Sequence, residues 1–316
     1  MAASDGTLQA LLDELQGAEE AGAEALGLWL VACDDPRLRG GLRVIRARDL
    51  AHARLARRRL AALGADASHG TPRRAQSLWG VLAAPDVSNR SKLAILLARF
   101  PTRDDDPLPA VVTALEDDET RGLLETIHED DRASLRWLRE VADLATLTAP
   151  VPEPMAPTLL GFLDAFRAAE AASAEVLATW CRACTLPGLR GGLETLAERE
   201  ATHAALVAER LAELGGSTRS LVADAVLGAA CDCYGSPAVS DEEKLGRIAR
   251  RYPDDEEATR AVQQMVATPA IDPETREMLK LIAAGEAASF SWLRAYRRAL
   301  AEHPREVSLR LLDGGR

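Results

Sequence analysis

Apolar residues recur at steps of three and four from the start of the chain: Leu8, Leu11, Leu12 and Leu15, then Ala25, Leu26, Trp29 and Leu30. That spacing puts them on one stripe of a helix and predicts a helix over 8–33. Asp34-Asp35-Pro36 interrupts the stripe, with Asp35 suited to cap a new helix and Pro36 to begin it. The next stripe, Leu38, Leu42, Ile45, Leu55 and Leu60, predicts a helix over 36–63 that stops at Gly64. Two long helices joined by so short a turn pack as an antiparallel hairpin. Short helices are expected over 73–83, over 88–99 with Ser88 as cap, and over 108–116, followed by a long one over 118–144. No segment alternates with the period of two that a strand needs, so the expected class is all-α.

The pattern then comes round again. A shift of 151 residues (203 − 52) lays Glu19 on Glu170, Trp29 on Trp180, Cys33 on Cys184 and Arg39-Gly40-Gly41-Leu42 on Arg190-Gly191-Gly192-Leu193. The offset grows to 152 where Lys92-Leu93 meets Lys244-Leu245, and to 155 where Ser134 and Trp137-Leu138 meet Ser289 and Trp292-Leu293. Insertions in loops produce such drift, so the chain reads as a tandem duplication of one domain-sized unit. The expected organisation is a helical domain over 1–145, a connector over 146–157 with prolines at 150, 152, 154 and 157, a second helical domain over 158–303, and a tail over 304–316. In the second domain, long helices are expected over 159–184, 187–214 and 273–303, with short ones between them as far as Arg251.

Composition narrows the function. Hydrophobic residues make up 47% of the 316 positions and aromatics only 4%, a helix-former text of Ala, Leu, Glu and Arg. A net charge of −11 argues against a nucleic-acid partner, whose phosphates need a basic footprint. No apolar run approaches a bilayer span and no basic start precedes an apolar core, so a cytoplasmic protein with no membrane partner is expected. Cys181-x-x-Cys184 and Cys231-x-Cys233 would together offer four thiolates to zinc, but the first half has no counterpart of this set, and buried packing is the expected role of Cys33 and Cys184.

The chemistry is concentrated in Glu200-Ala-Thr-His203 and its imperfect copy Asp49-Leu-Ala-His52. An acid and a histidine three residues apart on a helix share one face, so both reach one ion or one proton network. A hairpin with an acid on its first helix and acid-x-x-His on its second, followed by a second hairpin, resembles the ferritin-like superfamily, in particular the rubrerythrin-type four-helix bundles. The resemblance implies two tandem ferritin-like bundles. It further implies a metal centre built from one Glu on each of two helices and Glu-x-x-His on each of the other two.

Carried onto this chain, the resemblance implies Glu200 and His203 in the second half, and Asp49 and His52 in the first. The last helix adds Glu286 and Asp131, and the first helix adds Glu170 and Glu19, or by a further shift Glu175 and Glu24. The partner histidines of the last helix are Ser134 and Ser289 here, and the helix-one positions a turn before Glu19 and Glu170 read Gln16 and Arg167. Bridging acids are sought at Asp104 or Asp105 and at Glu256 or Glu257. A set this thinned implies one ion of iron, manganese or zinc per bundle, with iron-handling or oxidative chemistry, rather than a full di-iron oxidase.

The competing reading is a metal-free bundle, without cofactor, that serves a protein partner or self-association, with each acid–histidine pair a hydrogen bond between helices. Arg46, Arg48, Arg54 and Arg57 would then pair with the acids around His52. Trp29, Trp137, Trp180 and Trp292 are expected as core anchors, His69, His128 and His303 as exposed, and the acidic runs at 104–106, 116–119 and 254–257 as solvated loops and helix starts. The two Arg-Gly-Gly sites fall inside helices, where glycine costs stability, so close helix approach is their expected purpose.

Overall fold

The computed structural model describes residues 5–65, 76–98, 108–144 and 157–302. The proline-rich connector, the tail beyond 303, Asp104, Asp105, His69 and His303 lie outside the described residues. Among the described residues every regular element is a helix, as the absence of a two-residue period implies: α1 (Asp5–Ala32), α2 (Pro36–Ala62), α3 (Gln76–Ala83), α4 (Asn89–Leu97), α5 (Leu108–Thr113), α6 (Asp118–Leu144), α7 (Pro157–Ala183), α8 (Pro187–Glu213), α9 (Asp224–Gly235), α10 (Asp241–Arg251), α11 (Asp255–Val266) and α12 (Pro273–Glu302). None is long and apolar enough to cross a membrane.

Helix boundaries follow local chemistry. Asp35 caps α2 by accepting from the Arg37 amide at 2.9 Å, and Pro36 fills the first helical position, where a missing N–H costs nothing. Ser88 and Ser240 cap α4 and α10 through the amides of Ser91 and Glu243, each at 3.2 Å. Gly64 and Gly215 leave α2 and α8 at φ of 72° and 77°, a left-handed conformation that only glycine adopts without strain. Helix α11, beyond the short helices expected as far as Arg251, starts in the acidic run at 254–257: Asp254 caps it by accepting from the Glu257 amide at 2.8 Å.

The chain forms two compact units, and they differ from the contiguous halves 1–145 and 158–303. The first comprises Met1–Pro107, Asp131–Glu153 and Ile271–Leu281; the second comprises Leu108–Asp130, Pro154–Ala270 and Ile282–Arg316. Helices α6 and α12 are each divided between the two units.

In the first unit α1 and α2 pack along their lengths, around Leu12, Trp29, Leu38, Leu42 and Leu55. The Trp29 indole donates to Asn89 Oδ1 at 2.8 Å, and Trp137 donates to Glu277 Oε2 at 3.2 Å. The glycine pair of α2 is a point of contact: a Cβ on Gly40 would lie 2.2 Å from the Glu274 carbonyl oxygen, and one on Gly41 would lie 2.1 Å from the Trp137 ring.

The second unit has the same kind of core. Trp180, Leu189, Leu193, Leu196, Trp292 and Tyr296 pack together where α7, α8 and α12 meet. Trp180 donates to Asp241 Oδ1 at 2.8 Å. A Cβ on Gly191 would sit 1.9 Å from the Glu119 carbonyl oxygen and one on Gly192 2.0 Å from the Trp292 ring. Both Arg-Gly-Gly sites are therefore close approaches between helices, as expected, and Trp29, Trp137, Trp180 and Trp292 are core residues.

The Trp292 indole donates to Glu125 Oε2 at 3.1 Å, and burial pushes the Glu125 carboxyl up to about 7 despite that bond. An acid whose folded pKa is raised stabilises the fold fully below its unfolded value near 4.5, and that contribution is lost as the pH rises through 7. Glu125→Gln, which keeps an acceptor for Trp292 but carries no charge, is expected to be about 2–3 kcal/mol more stable than the parent at pH 8 and nearly equal to it at pH 4.5. Denaturant melts at the two pH values check this.

Candidate metal centre

In the second unit four side chains from three helices converge. Helix α7 brings Glu170, α8 brings Glu200 and His203 on one face, and α12 brings Glu286. His203 is 0% exposed, and all three carboxylates are buried. Its Nδ1 lies 3.1 Å from Glu170 Oε2 and 3.0 Å from Glu286 Oε1. Glu200 lies close enough to Glu170 and Glu286 for the three carboxyl groups to act on one another. Ligand atoms of Glu170, His203 and Glu286 all lie within 4.8 Å of one another, a group that could hold a metal ion.

The electrostatics of this cluster are costly without a cation. Burial, then the neighbouring Glu200 and Glu286, hold the Glu170 carboxyl well above the usual carboxylate range; burial, then Glu286, does the same to Glu200. Two like charges about 4 Å apart repel by roughly 4 kcal/mol in a protein environment of effective dielectric near 20. Three carboxylates around one imidazole must therefore take up protons or a cation. Carboxylate oxygens with one imidazole nitrogen make a hard-to-borderline donor set, suited to ferrous iron, manganese(II) or zinc.

The first unit assembles the corresponding residues more loosely. Glu19 from α1, His52 from α2 and Asp131 from α6 also form a group that could hold an ion. His52 Nδ1 is 3.6 Å from both Glu19 Oε1 and Asp131 Oδ1, and the Asp131 side chain is 39% exposed. Asp49 lies over Gly22, where a Cβ would meet its Oδ2 at 2.8 Å, and burial followed by Glu19 raises its carboxyl well above the usual range.

Several expected residues take other places. Glu24 and Glu175 are exposed, so the further shift along the first helix is not used. Glu256 is exposed, and Glu257 pairs with Arg260 on α11's own surface; neither bridges. Gln16 bonds Glu20, and Arg167 bonds Asp164 and the Ser220 carbonyl. The four-cysteine zinc reading finds no cluster among the described residues: Cys181 and Cys184 face backbone carbonyls, Cys231 faces Thr179, and Cys233 faces Arg247. Burial pushes the Cys181 and Cys184 thiols up to about 11 and 12, away from thiolate chemistry. His128, expected at the surface, is buried.

A buried arginine stands at the edge of each cluster: sequence reasoning passed over Arg199 and named Arg48 only as a partner for the acids around His52. Arg199, beside Glu200 on α8, is buried; it donates to Asp130 Oδ2 from Nε and Nη2 at 3.1 and 2.9 Å, to the Gly285 carbonyl at 3.3 Å, and to Ser289 Oγ. Arg48, beside Asp49 on α2, is likewise buried and donates to Ser134 Oγ at 3.1 Å and to the Leu281 carbonyl at 2.8 Å. The signal was available: the offsets of 151 and 155 that align the histidines and tryptophans also set Arg48 on Arg199 and Ser134 on Ser289.

Comparison of the chain with protein-family models, with curated proteins and with solved structures returns no match.

Proposed function

We propose that the second unit binds a single divalent metal ion, iron or manganese foremost and zinc as the redox-inert case, through Glu170, Glu200, His203 and Glu286. The observation that carries this reading is the convergence on His203, inside the protein, of carboxylates from α7 and α12 at hydrogen-bond distance, with Glu200 against both. The ferritin-like resemblance of the helix plan supports it and suggests an iron-handling or oxidative role. A bound iron or manganese would supply one-electron redox chemistry, and zinc would supply Lewis acidity. The chain's own part is to fix four donors on three packed helices and to exclude water from them.

For the first unit the metal-free reading is favoured, because the Asp131 side chain is 39% exposed and water can solvate it in place of an ion. There the pair of acids around His52 serves as a polar contact between helices.

Titrating chelator-treated protein with ferrous iron, manganese(II) or zinc tests the proposal. A hundredfold excess over the dissociation constant stabilises the native state by about 2.7 kcal/mol. The melting temperature is expected to rise for the parent and for His52→Ala, and to stay put for His203→Ala. Equal responses from parent and His203→Ala would remove the assignment.

A further inference from the structure

We propose that Arg199 sets the nuclearity of this centre: its guanidinium takes the place of a second metal ion, beside Ser289 and Asp130, and so holds the cluster to one ion. The inference rests on the metal reading given above and concerns what limits it. In the dinuclear pattern each of the later helices carries a Glu-x-x-His, and the residue three after Glu286 is Ser289. That serine faces a cation, the Arg199 Nη1, which also bonds the carbonyl of Gly285, the residue before Glu286. The remaining donors reach Asp130 and the Thr126 carbonyl, so the ion's space is filled by a group satisfied on every side.

Guanidinium suits this place because it stays protonated at any physiological pH and presents a rigid planar fork of donors. A divalent ion brought against it would meet both its bulk and its charge. Asp130 pairs with the guanidinium at 2.9 Å and offsets its charge, which leaves the acids of the four-residue cluster to attract one ion. Arg48 makes the same Nη1-to-hydroxyl bond to Ser134 in the first unit.

Manganese(II) loading of the full chain, read by elemental analysis and electron paramagnetic resonance, is the test. Arg199→Ala opens the space and leaves Asp130 as an extra donor; it is expected to take up one more equivalent of manganese per chain than the parent and to show the spectrum of a spin-coupled pair. Because that variant leaves a buried acid, Arg199→Ala with Asp130→His, which opens the space and offers a neutral donor in place of the acid, provides a second test, also expected to load one additional equivalent. Arg199→Lys, which keeps the cation, is expected to load as the parent does. A parent that loads one ion while Arg199→Ala and the double variant also load one, with isolated-ion spectra, would overturn the inference and leave the metal reading standing. A parent that loads none would overturn both.

Discussion

Gly191→Ala is expected to unfold the second unit or cost it more than about 3 kcal/mol, although alanine is intrinsically the better helix residue by about 1 kcal/mol. The added methyl group would lie 1.9 Å from the Glu119 carbonyl oxygen and 3.0 Å from the Leu123 amide nitrogen. Both are backbone atoms, so no side-chain rotation relieves the clash and α8 and α6 would have to separate. That separation would also loosen the Trp292 and Leu193 packing beside it. Gly161 in α7 is the control: nothing lies within 4 Å of its Cβ position, and Gly161→Ala is expected to be neutral or stabilising by up to about 1 kcal/mol. Urea melts of the two variants check the pair, and equal stabilities would show that the helices do not meet at Gly191.

Asp130→Ala should lose about 3–5 kcal/mol, because it strips the carboxylate from a guanidinium that stays buried. The pair is 2.9 Å long, and each side chain is 2% exposed. Arg199 would keep its bonds to Ser289 and to the carbonyls of Thr126 and Gly285, but these neutralise no charge. Removing Glu213 from its pair with Arg210 at 2.7 Å, where the acid is 39% exposed, is expected to cost less than about 1 kcal/mol. Thermal melts of both variants in one buffer, repeated at high salt, separate the two regimes: the loss at Asp130 is insensitive to salt, and the effect at Glu213 fades.

How much of this was legible in the sequence depended on whether a signal was local. Apolar steps of three and four, the Asp35 and Ser88 caps and the Gly64 stop are read within one or two turns, and the helices they predict are present. The glycine pairs were legible because glycine inside a helix needs a reason, and the contacts with Glu274, Trp137, Glu119 and Trp292 supply it. The division of α6 and α12 between units left no local trace, since an amphipathic stripe does not record which neighbour it meets along its length.

At the site, His203 was legible from its acid-x-x-His spacing, while Glu170 and Glu286 were named only through the family resemblance; the internal offset pairs the three with Glu19, His52 and Asp131. Arg199 was missed for the opposite reason. In a text dense with Ala, Arg and Glu, an arginine reads as solvent-facing until tertiary packing places an Asp130 against it. His128 was misjudged in the same way, because a histidine without a repeat partner carries no pattern, and its burial was decided by packing.

The most direct measurement is the metal content of the full chain, purified without chelator and analysed by mass spectrometry beside His203→Ala, Glu286→Ala and His52→Ala. The centre described here predicts about one equivalent of iron, manganese or zinc in the parent, its retention in His52→Ala, and its loss in both second-unit variants. A folded parent free of metal, or the same content in His203→Ala as in the parent, would contradict it.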